Sequence, residues 1–234
     1  MTISIGGLQK FSLLDFPDRI CAIVFVNGCN FRCPFCHNPS LVQLQSTTTP
    51  ETLSVESVLT FLTSRVGRLD GVCVTGGEPL MQPDLVDFLR CVRELGFQIK
   101  LDTNGSFPDR LESLLDKGLL DYVAMDIKNT PEKYPTTTGC STVSIDRVKA
   151  SAALLLAERV QYEFRTTLVR QFHTTDDLQA MGHWLYGASR YCLQNFRDNG
   201  SVLGPGPLHP FTSEEMTALA EIAKQYFKSV EIRL

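Results

Sequence analysis

Short apolar runs alternate with amphipathic stretches along most of the chain, a pattern that predicts strands joined by helices and a parallel sheet. Residues 20–27 form an apolar run of strand length. Residues 41–53 are polar and Thr-rich and predict a loop. A helix follows over 54–65, with Ser54 at its N-cap and Glu56 in its first turn. Residues 71–75 predict a second strand. In the next helix, 82–95, Pro83 and Asp84 suit the first turn and Leu85, Phe88, Leu89 and Val92 repeat at helical spacing. Gly96 then ends it. A third strand over 98–102, a helix over 108–117 with Leu111, Leu114 and Leu115 on one face, and a fourth strand over 121–127 come next. Residues 129–143, rich in Pro and Thr, predict a longer loop. The pattern continues with a helix from Ser144 to 157, a strand over 160–169, and a helix capped by Thr174 or Thr175 and running to 188. A strand over 190–196 leads into a Gly/Pro-rich loop over 199–210. Thr212 and Glu215 fit a capping box that opens a helix to 227, and 229–234 predict a last strand.

About six βα units and a terminal strand need slightly fewer residues than the roughly 250 of a full eightfold barrel. The expected fold class is α/β, a partial and laterally open (βα)6-type barrel in a single domain over 1–234. A doubly wound open sheet is the alternative. In either architecture ligands collect at the C-terminal ends of the strands.

Composition narrows the function classes. Hydrophobic residues make up 43% of 234, enough for a large core, and the net charge of −4 favours neither a phosphate backbone nor an anionic membrane. No apolar run approaches the roughly 20 residues of a membrane span. Residues 1–16 lack the basic start and long apolar stretch of a signal peptide, so a cytoplasmic location, with neither nucleic acid nor membrane as partner, is expected. There the eight cysteines are expected to be thiols. Cys21, Cys73 and Cys192 fall in strand patterns and Cys91 in a helix, which predicts core thiols. Cys140 has no assigned role.

The other three, Cys29, Cys33 and Cys36, follow the first predicted strand at C-x3-C-x2-C spacing. Thiolates favour zinc, cuprous copper and iron–sulfur clusters. Three are one short of the four that normally hold a four-iron cluster, which leaves one iron open to a substrate. Local alternatives exist. Cys33 to Cys36 is a C-x-x-C that suits a redox pair, and adding His37 gives a haem-attachment pattern. Three cysteines with His37 also suit a structural zinc site.

Polar residues stand at the other predicted strand ends. The second strand ends in Gly76-Gly77-Glu78-Pro79, where two glycines allow close approach of a ligand to the backbone. The third ends in Asp102-Thr103-Asn104-Gly105, and the fourth in Asp126-Ile127-Lys128, whose charged side chains share one side. Arg165, Thr166 and Thr167 lie on the fifth; Gln194, Phe196 and Arg197 lie at the sixth. Each has a bland reading: Gly-Gly and Asn-Gly are common turns, and the charges suit solvated ion pairs. His173, His183 and His209 have no partner at metal-ligand spacing.

Taken together, the cysteine loop followed one βα unit later by Gly-Gly-Glu-Pro resembles the radical S-adenosylmethionine superfamily. The segments 11–17, 28–39, 75–79, 101–105 and 125–128 are similar, in that order, to the glycyl-radical-enzyme activases, most of all those of anaerobic ribonucleoside-triphosphate reductase. One departure is Asp15-Phe16-Pro17-Asp18, where many activases have Asp-Gly-Pro-Gly. The resemblance implies that Cys29, Cys33 and Cys36 hold one [4Fe–4S] cluster whose open iron binds S-adenosylmethionine. It implies that Gly76, Gly77 and Glu78 line the methionine amino group and that Phe35 and His37 flank the adenine. Asp102, Asn104, Asp126 and Lys128 would contact the methionine end or the ribose, with Lys128 toward the carboxylate. Thr167 and Phe196 would lie on the adenine side. The implied oxidoreductase activity is reductive cleavage to a 5′-deoxyadenosyl radical that generates a glycyl radical on a large partner enzyme. A low-potential donor such as flavodoxin or ferredoxin would supply the electron. An activase of pyruvate formate-lyase or of another glycyl radical enzyme is the nearest alternative, and a small-molecule radical enzyme such as a deazapurine carboxylate synthase another. A zinc-stabilised binding protein without turnover and a metal-free thiol oxidoreductase are the readings from other classes.

Overall fold

Eight residues that the pattern left out of every element, Ile5–Ser12, form strand β1. Gly6 and Gly7 and the exposed Gln9 to Phe11 blur the alternation by which a strand is read, so β1 was hidden. It pairs antiparallel with β2, Cys21–Val26, whose short run is almost wholly buried. The computed structural model describes residues 1–42, 52–198, 200, 202–204 and 206–234. Parts of the expected loops over 41–53 and 199–210 lie outside the described residues.

The chain divides into two units, one of residues 1–30, 40–103 and 107–123, the other of 31–39, 104–106 and 124–234. A short helix, α1 (Pro39–Val42), begins where a loop was expected. In the first unit, α2 (Val55–Thr63) is capped by Ser54, whose side chain accepts from the Ser57 N–H at 3.1 Å. Strand β3 (Gly71–Gly76) lies parallel to β2 and β4 (Gln98–Thr103) parallel to β3. The helix expected from 82 begins later, as α3 (Leu85–Glu94), because Pro79–Met81 form a separate 3-10 turn capped by the Glu78 side chain. Its buried face is Leu85, Phe88, Leu89 and Val92, the four positions read from helical spacing. Each contributes about 1.5–3 kcal/mol on burial. Helix α4 (Pro108–Asp116) buries Leu111 and Leu114 in the same way.

Strand β5 (Tyr122–Asp126) is divided between the units. In the second unit, the Pro/Thr-rich stretch read as loop instead contains a 3-10 turn at Pro131–Lys133 and helix α5 (Tyr134–Thr138). Proline suits the first turn of each, where its missing N–H costs nothing. Helix α6 (Ile145–Leu156) starts after Ser144, which sits at the N-cap position without a capping side-chain bond. Strands β6 (Gln161–Leu168), β7 (Tyr191–Asn195) and β8 (Val230–Arg233) are parallel and adjacent in that order. Capping boxes at Thr174 and Thr212 open α7 (Thr175–Trp184) and α8 (Ser213–Ala223). The chain is thus an α/β fold with a mostly parallel sheet.

The two faces of β6–β8 differ. Tyr162, Phe164, Thr166 and Leu168 take one face of β6, and Tyr191 of the paired strand stacks on Phe227 with ring centroids 4.2 Å apart. By strand register the other face carries Glu163, Arg165, Thr167, Cys192, Gln194, Glu231 and Arg233. No aliphatic side chain stands among these seven. The fully buried Glu163 carboxylate accepts from the Arg233 guanidinium at 3.0 and 3.2 Å, with Arg190 at 3.5 Å. Of the expected core thiols, Cys21, Cys73 and Cys192 are buried, whereas Cys91 is only half-buried, since its helix turns it toward the rim of the apolar face. Among the described residues no helix is long and apolar enough to cross a membrane.

Candidate functional site

In the first unit, candidate residues gather where β2 and β3 end. Gly77 N–H donates to Val26 C=O at 2.8 Å, and Glu78 N–H donates to Gly28 C=O at 2.7 Å. These bonds seat the glycine turn on the backbone that leads into Cys29. Contact is close enough to require glycine. A Cβ on Gly77 would lie 1.9 Å from the Gly28 carbonyl oxygen, and Gly76 has φ of +118° with a Cβ position 2.4 Å from Val26 N. The Glu78 side chain is fully buried, and its Oε1 accepts from Leu80 N–H at 3.0 Å and Thr103 Oγ at 2.7 Å. Asp102 forms a short ion pair with Lys100, a lysine only 2% exposed, and lies 3.7 Å from Cys73 Sγ. Sequence pattern did not single out Lys100, because a lysine in mid-strand ordinarily faces water.

In the second unit, Cys36 N–H donates to Cys33 C=O at 3.0 Å, closing a turn with Pro34 and Phe35 at its centre. Proline presets this turn, and the C-x-x-C spacing is its consequence. The loop is fixed from three sides. Arg32 N–H donates to Thr138 C=O at 2.8 Å, Gly204 N–H donates to Pro34 C=O at 2.9 Å, and Phe35 is buried with its ring 5.7 Å from that of Phe172. His37 is exposed and faces Phe196, with ring centroids 5.6 Å apart. Thr167 Oγ donates to Gln194 at 3.4 Å, and Asn104 Oδ1 accepts from both N–H and Oγ–H of Ser106, as in an ordinary Asx turn.

Lys128 and Asp126 meet as the spacing predicts, with Nζ 3.0 Å from Oδ2, although Lys128 lies beyond the end of β5. Arg165 Nε donates to the other oxygen of Asp126 at 2.9 Å. The pair is therefore not the solvated strand-end contact of the bland reading. Burial pushes the Cys33 thiol up to about 11, with the Lys128 charge opposing. Desolvation, then Lys128, hold the His37 imidazole below its usual value. Lys128 is also held by its backbone: its N–H donates to Tyr134 Oη at 3.2 Å, and its C=O lies 2.8 Å from His173 Nε2. Neither Tyr134 nor His173 carried a signal in spacing, because a side chain that bonds backbone leaves no periodic trace.

Burial by itself would raise the Asp126 carboxyl; Arg165 and Lys128 outweigh it and bring it down to about 2. In an unfolded chain the same group titrates near about 3.9. Its stabilising contribution is thus complete above about pH 4 and lost as pH falls from there toward 2, on the order of 2 kcal/mol in total. Asp126→Asn is expected to flatten that part of the stability curve, measured by denaturant titration between about pH 2 and 5. An unchanged slope would show that the pair does not exist in solution.

Residues 23–182 match the family model of the Radical SAM superfamily. The chain belongs to this superfamily. Members use a [4Fe–4S] cluster and S-adenosylmethionine, which are therefore this chain's cofactors. Over its whole length it is 29% identical to a protein of Methanocaldococcus jannaschii provisionally named a glycyl-radical enzyme activating enzyme, covering 97% of that relative. A pyruvate formate-lyase-activating enzyme of Clostridium pasteurianum is 33% identical over 58% of this chain and 57% of its own. The fold is similar to that of Streptococcus suis SuiB bound to S-adenosylmethionine, with a TM-score of 0.66 and 14% identity, over 86% of this chain and about half (48%) of SuiB. This radical SAM protein has a function of the glycyl-radical-enzyme activase type.

Among the described residues no three His, Cys, Asp or Glu side chains are gathered as a metal ion would need them. The fit of the cofactors rests on donor chemistry and on the cradle. Cys29, Cys33 and Cys36 are thiols outside any disulfide, the soft donors that iron–sulfur clusters take. The cradle is the Gly76-Gly77 turn, packed so tightly on the backbone of Gly28 and Cys29 that any Cβ would overlap it, which fixes the turn beside Cys29. The zinc alternative is not favoured.

Proposed function

We propose that this radical SAM protein activates an anaerobic ribonucleoside-triphosphate reductase by generating its glycyl radical. The observation that carries the activase reading is the full-length likeness to a relative named a glycyl-radical enzyme activating enzyme, and the Gly-Gly turn bonded to the backbone at Gly28, directly before Cys29, supports the cofactor site it needs. The finer choice of target rests on the ordered likeness of segments 11–17, 28–39, 75–79, 101–105 and 125–128 to the activases of that reductase; Asp15-Phe16-Pro17-Asp18 in place of Asp-Gly-Pro-Gly bears on partner identity, which the experiment below decides.

Cys29, Cys33 and Cys36 would hold the cluster and leave one iron for S-adenosylmethionine. When bound, the two cofactors supply one-electron cleavage of the sulfonium and removal of a hydrogen atom from the partner's glycine. The chain supplies position, charge and dryness. The Glu78 carboxylate, pinned by Leu80 and Thr103, would accept from the methionine ammonium together with carbonyls of Gly76 and Gly77. Lys128 would meet the methionine carboxylate as a point charge, with Asp126 keeping its ammonium in place. Phe35, His37 and Phe196 offer aromatic surface for adenine with Thr167 on the same side, and Asp102 and Asn104 offer polar groups for the ribose and methionine ends. A flavodoxin- or ferredoxin-like protein would donate the electron in the cytoplasm, and the whole of 1–234 would act as one domain.

The test is anaerobic incubation of the iron-loaded protein, S-adenosylmethionine and dithionite with purified partner enzymes, followed by electron paramagnetic resonance. A glycyl radical on the ribonucleotide reductase is expected. A radical only on pyruvate formate-lyase would reassign the target. Formation of 5′-deoxyadenosine with no radical on any partner would point to a small-molecule substrate and end the activase proposal.

A further inference from the structure

We infer that His173 is a positioning residue for Lys128, acting through the lysine's backbone carbonyl; the inference rests on the proposed contact between Lys128 and the methionine carboxylate. His173 is buried at 3% exposure, behind β6, and its ring approaches that of Phe35 in the cysteine loop at 6.4 Å. Its two nitrogens have different work. Val169 N–H donates to Nδ1 at 3.1 Å, and Nε2 lies 2.8 Å from Lys128 C=O. Only one neutral tautomer serves both. With the proton on Nε2, the ring donates to Lys128 C=O and accepts from Val169 N–H. With the proton on Nδ1, two acceptors would face each other at 2.8 Å, and the Val169 N–H would lose its acceptor. The proton on Nδ1 could turn to Val169 C=O at 3.2 Å, but that oxygen already accepts from the N–H groups of Phe172 and His173. The Nε2–H tautomer follows.

The consequence is a residue whose backbone is held on both sides of its Cα. Tyr134 Oη takes the Lys128 N–H and His173 gives its N–H to the Lys128 C=O. Lys128 stands just past the end of β5, where ladder bonds no longer fix the chain, so these two side chains replace the ladder. Asp126 holds the ammonium at the far end of the side chain. With both the backbone and the tip fixed, a flexible four-carbon side chain keeps its charge in one place before any ligand arrives, and less ordering is left for binding to offset.

The two nitrogens allow a test that separates positioning from mere support of the fold. Gln at 173 can reproduce the Nε2–H donor to Lys128 but not the acceptor for Val169; Asn can reproduce the acceptor but does not reach Lys128. Iron-loaded, unreduced protein would be dialysed against S-adenosylmethionine, so that affinity is read without turnover. Iron per chain and melting temperature would be measured for every variant. His173→Leu and His173→Asn are expected to weaken binding on the order of 10- to 100-fold, the range for groups that orient a ligand-contacting residue. His173→Gln should stay within a few-fold of the native protein. In a Lys128→Met background, His173→Leu should cause no further loss. Rescue by Asn and not by Gln, or additive losses in the double variant, would overturn the inference. Native affinity in His173→Leu beside a weakened Lys128→Met would overturn it alone, whereas native affinity in Lys128→Met would remove the Lys128 assignment and the inference with it. If His173→Leu does not fold, the comparison of Gln with Asn decides.

Discussion

Cys33→Ala is expected to abolish formation of 5′-deoxyadenosine from S-adenosylmethionine and dithionite, and to remove the iron–sulfur absorbance with it. Cys33 is buried in the turn closed by the Cys36 N–H. Its thiol is pushed up to about 11 by burial, so loading with iron must expel the proton, and the cluster's charge is what makes the thiolate favourable there. The loss should not come from unfolding. Removing one buried sulfur costs about 1 kcal/mol, close to the smaller core truncations. Circular dichroism should therefore show a folded chain without iron, while Cys140→Ala keeps both iron and turnover. Unchanged product from Cys33→Ala would remove the cysteine loop from the chemistry.

Gly77→Ala should cost nearly as much function by a different route. The added Cβ meets the Gly28 carbonyl oxygen at 1.9 Å, its carbon at 2.5 Å and Cys29 N at 3.2 Å. All three are backbone atoms, so no rotamer change relieves the overlap; the turn has to lift away from Gly28. The bonds from Gly77 to Val26 and from Glu78 to Gly28 would open, and Cys29 would move with them. The expected cost is on the order of 3 kcal/mol, the upper part of the overpacking range, or roughly 10 °C in melting temperature for a chain of this size. Affinity for S-adenosylmethionine should fall on the order of 100-fold, as a displaced contact group implies. Gly7→Ala is the control, because its nearest neighbour there would be Phe25 Cδ2 at 3.6 Å, an ordinary contact. If Gly77→Ala melts and binds like the native protein, the turn does not sit where it is described.

How far the chain could be read before its structure depended on the kind of signal. Buried strands such as β2 and β3 and amphipathic helices such as α3 were legible, because periodicity is the direct imprint of one-sided burial. The Thr212–Glu215 capping box was legible from two residues, whereas at α7 only a cap at Thr174 or Thr175 was, and the Asp177 half of its box was not. Strand β1 was not, since an edge strand with two glycines and exposed polar residues has little burial to record. The loop over 129–143 hid α5 because proline is tolerable only in a helix's first turn and threonine is a weak helix former, so a five-residue helix of such residues leaves no signal. In the site, the residue types announced the chemistry, while their partners did not. Nothing at Glu78 shows that Thr103 would pin it. Arg165 was visible as a charge, but its bond to Asp126 needed the fold. His173 was dismissed for want of metal-ligand spacing, a test blind to a ring that bonds two backbone groups.

The division of β6–β8 into a greasy side and an ionic side has a consequence for how such proteins diversify. The helices grip only the greasy side, through Phe164, Tyr191 and their neighbours. The opposite face is organised by matched charge, with Arg165 bonded to Asp126 and Glu163 to Arg233, so a replacement there alters the chemistry without loosening the apolar seam. One scaffold can then carry a different set of charges on that face through paired replacements, with the anchoring Glu163–Arg233 pair left as it stands.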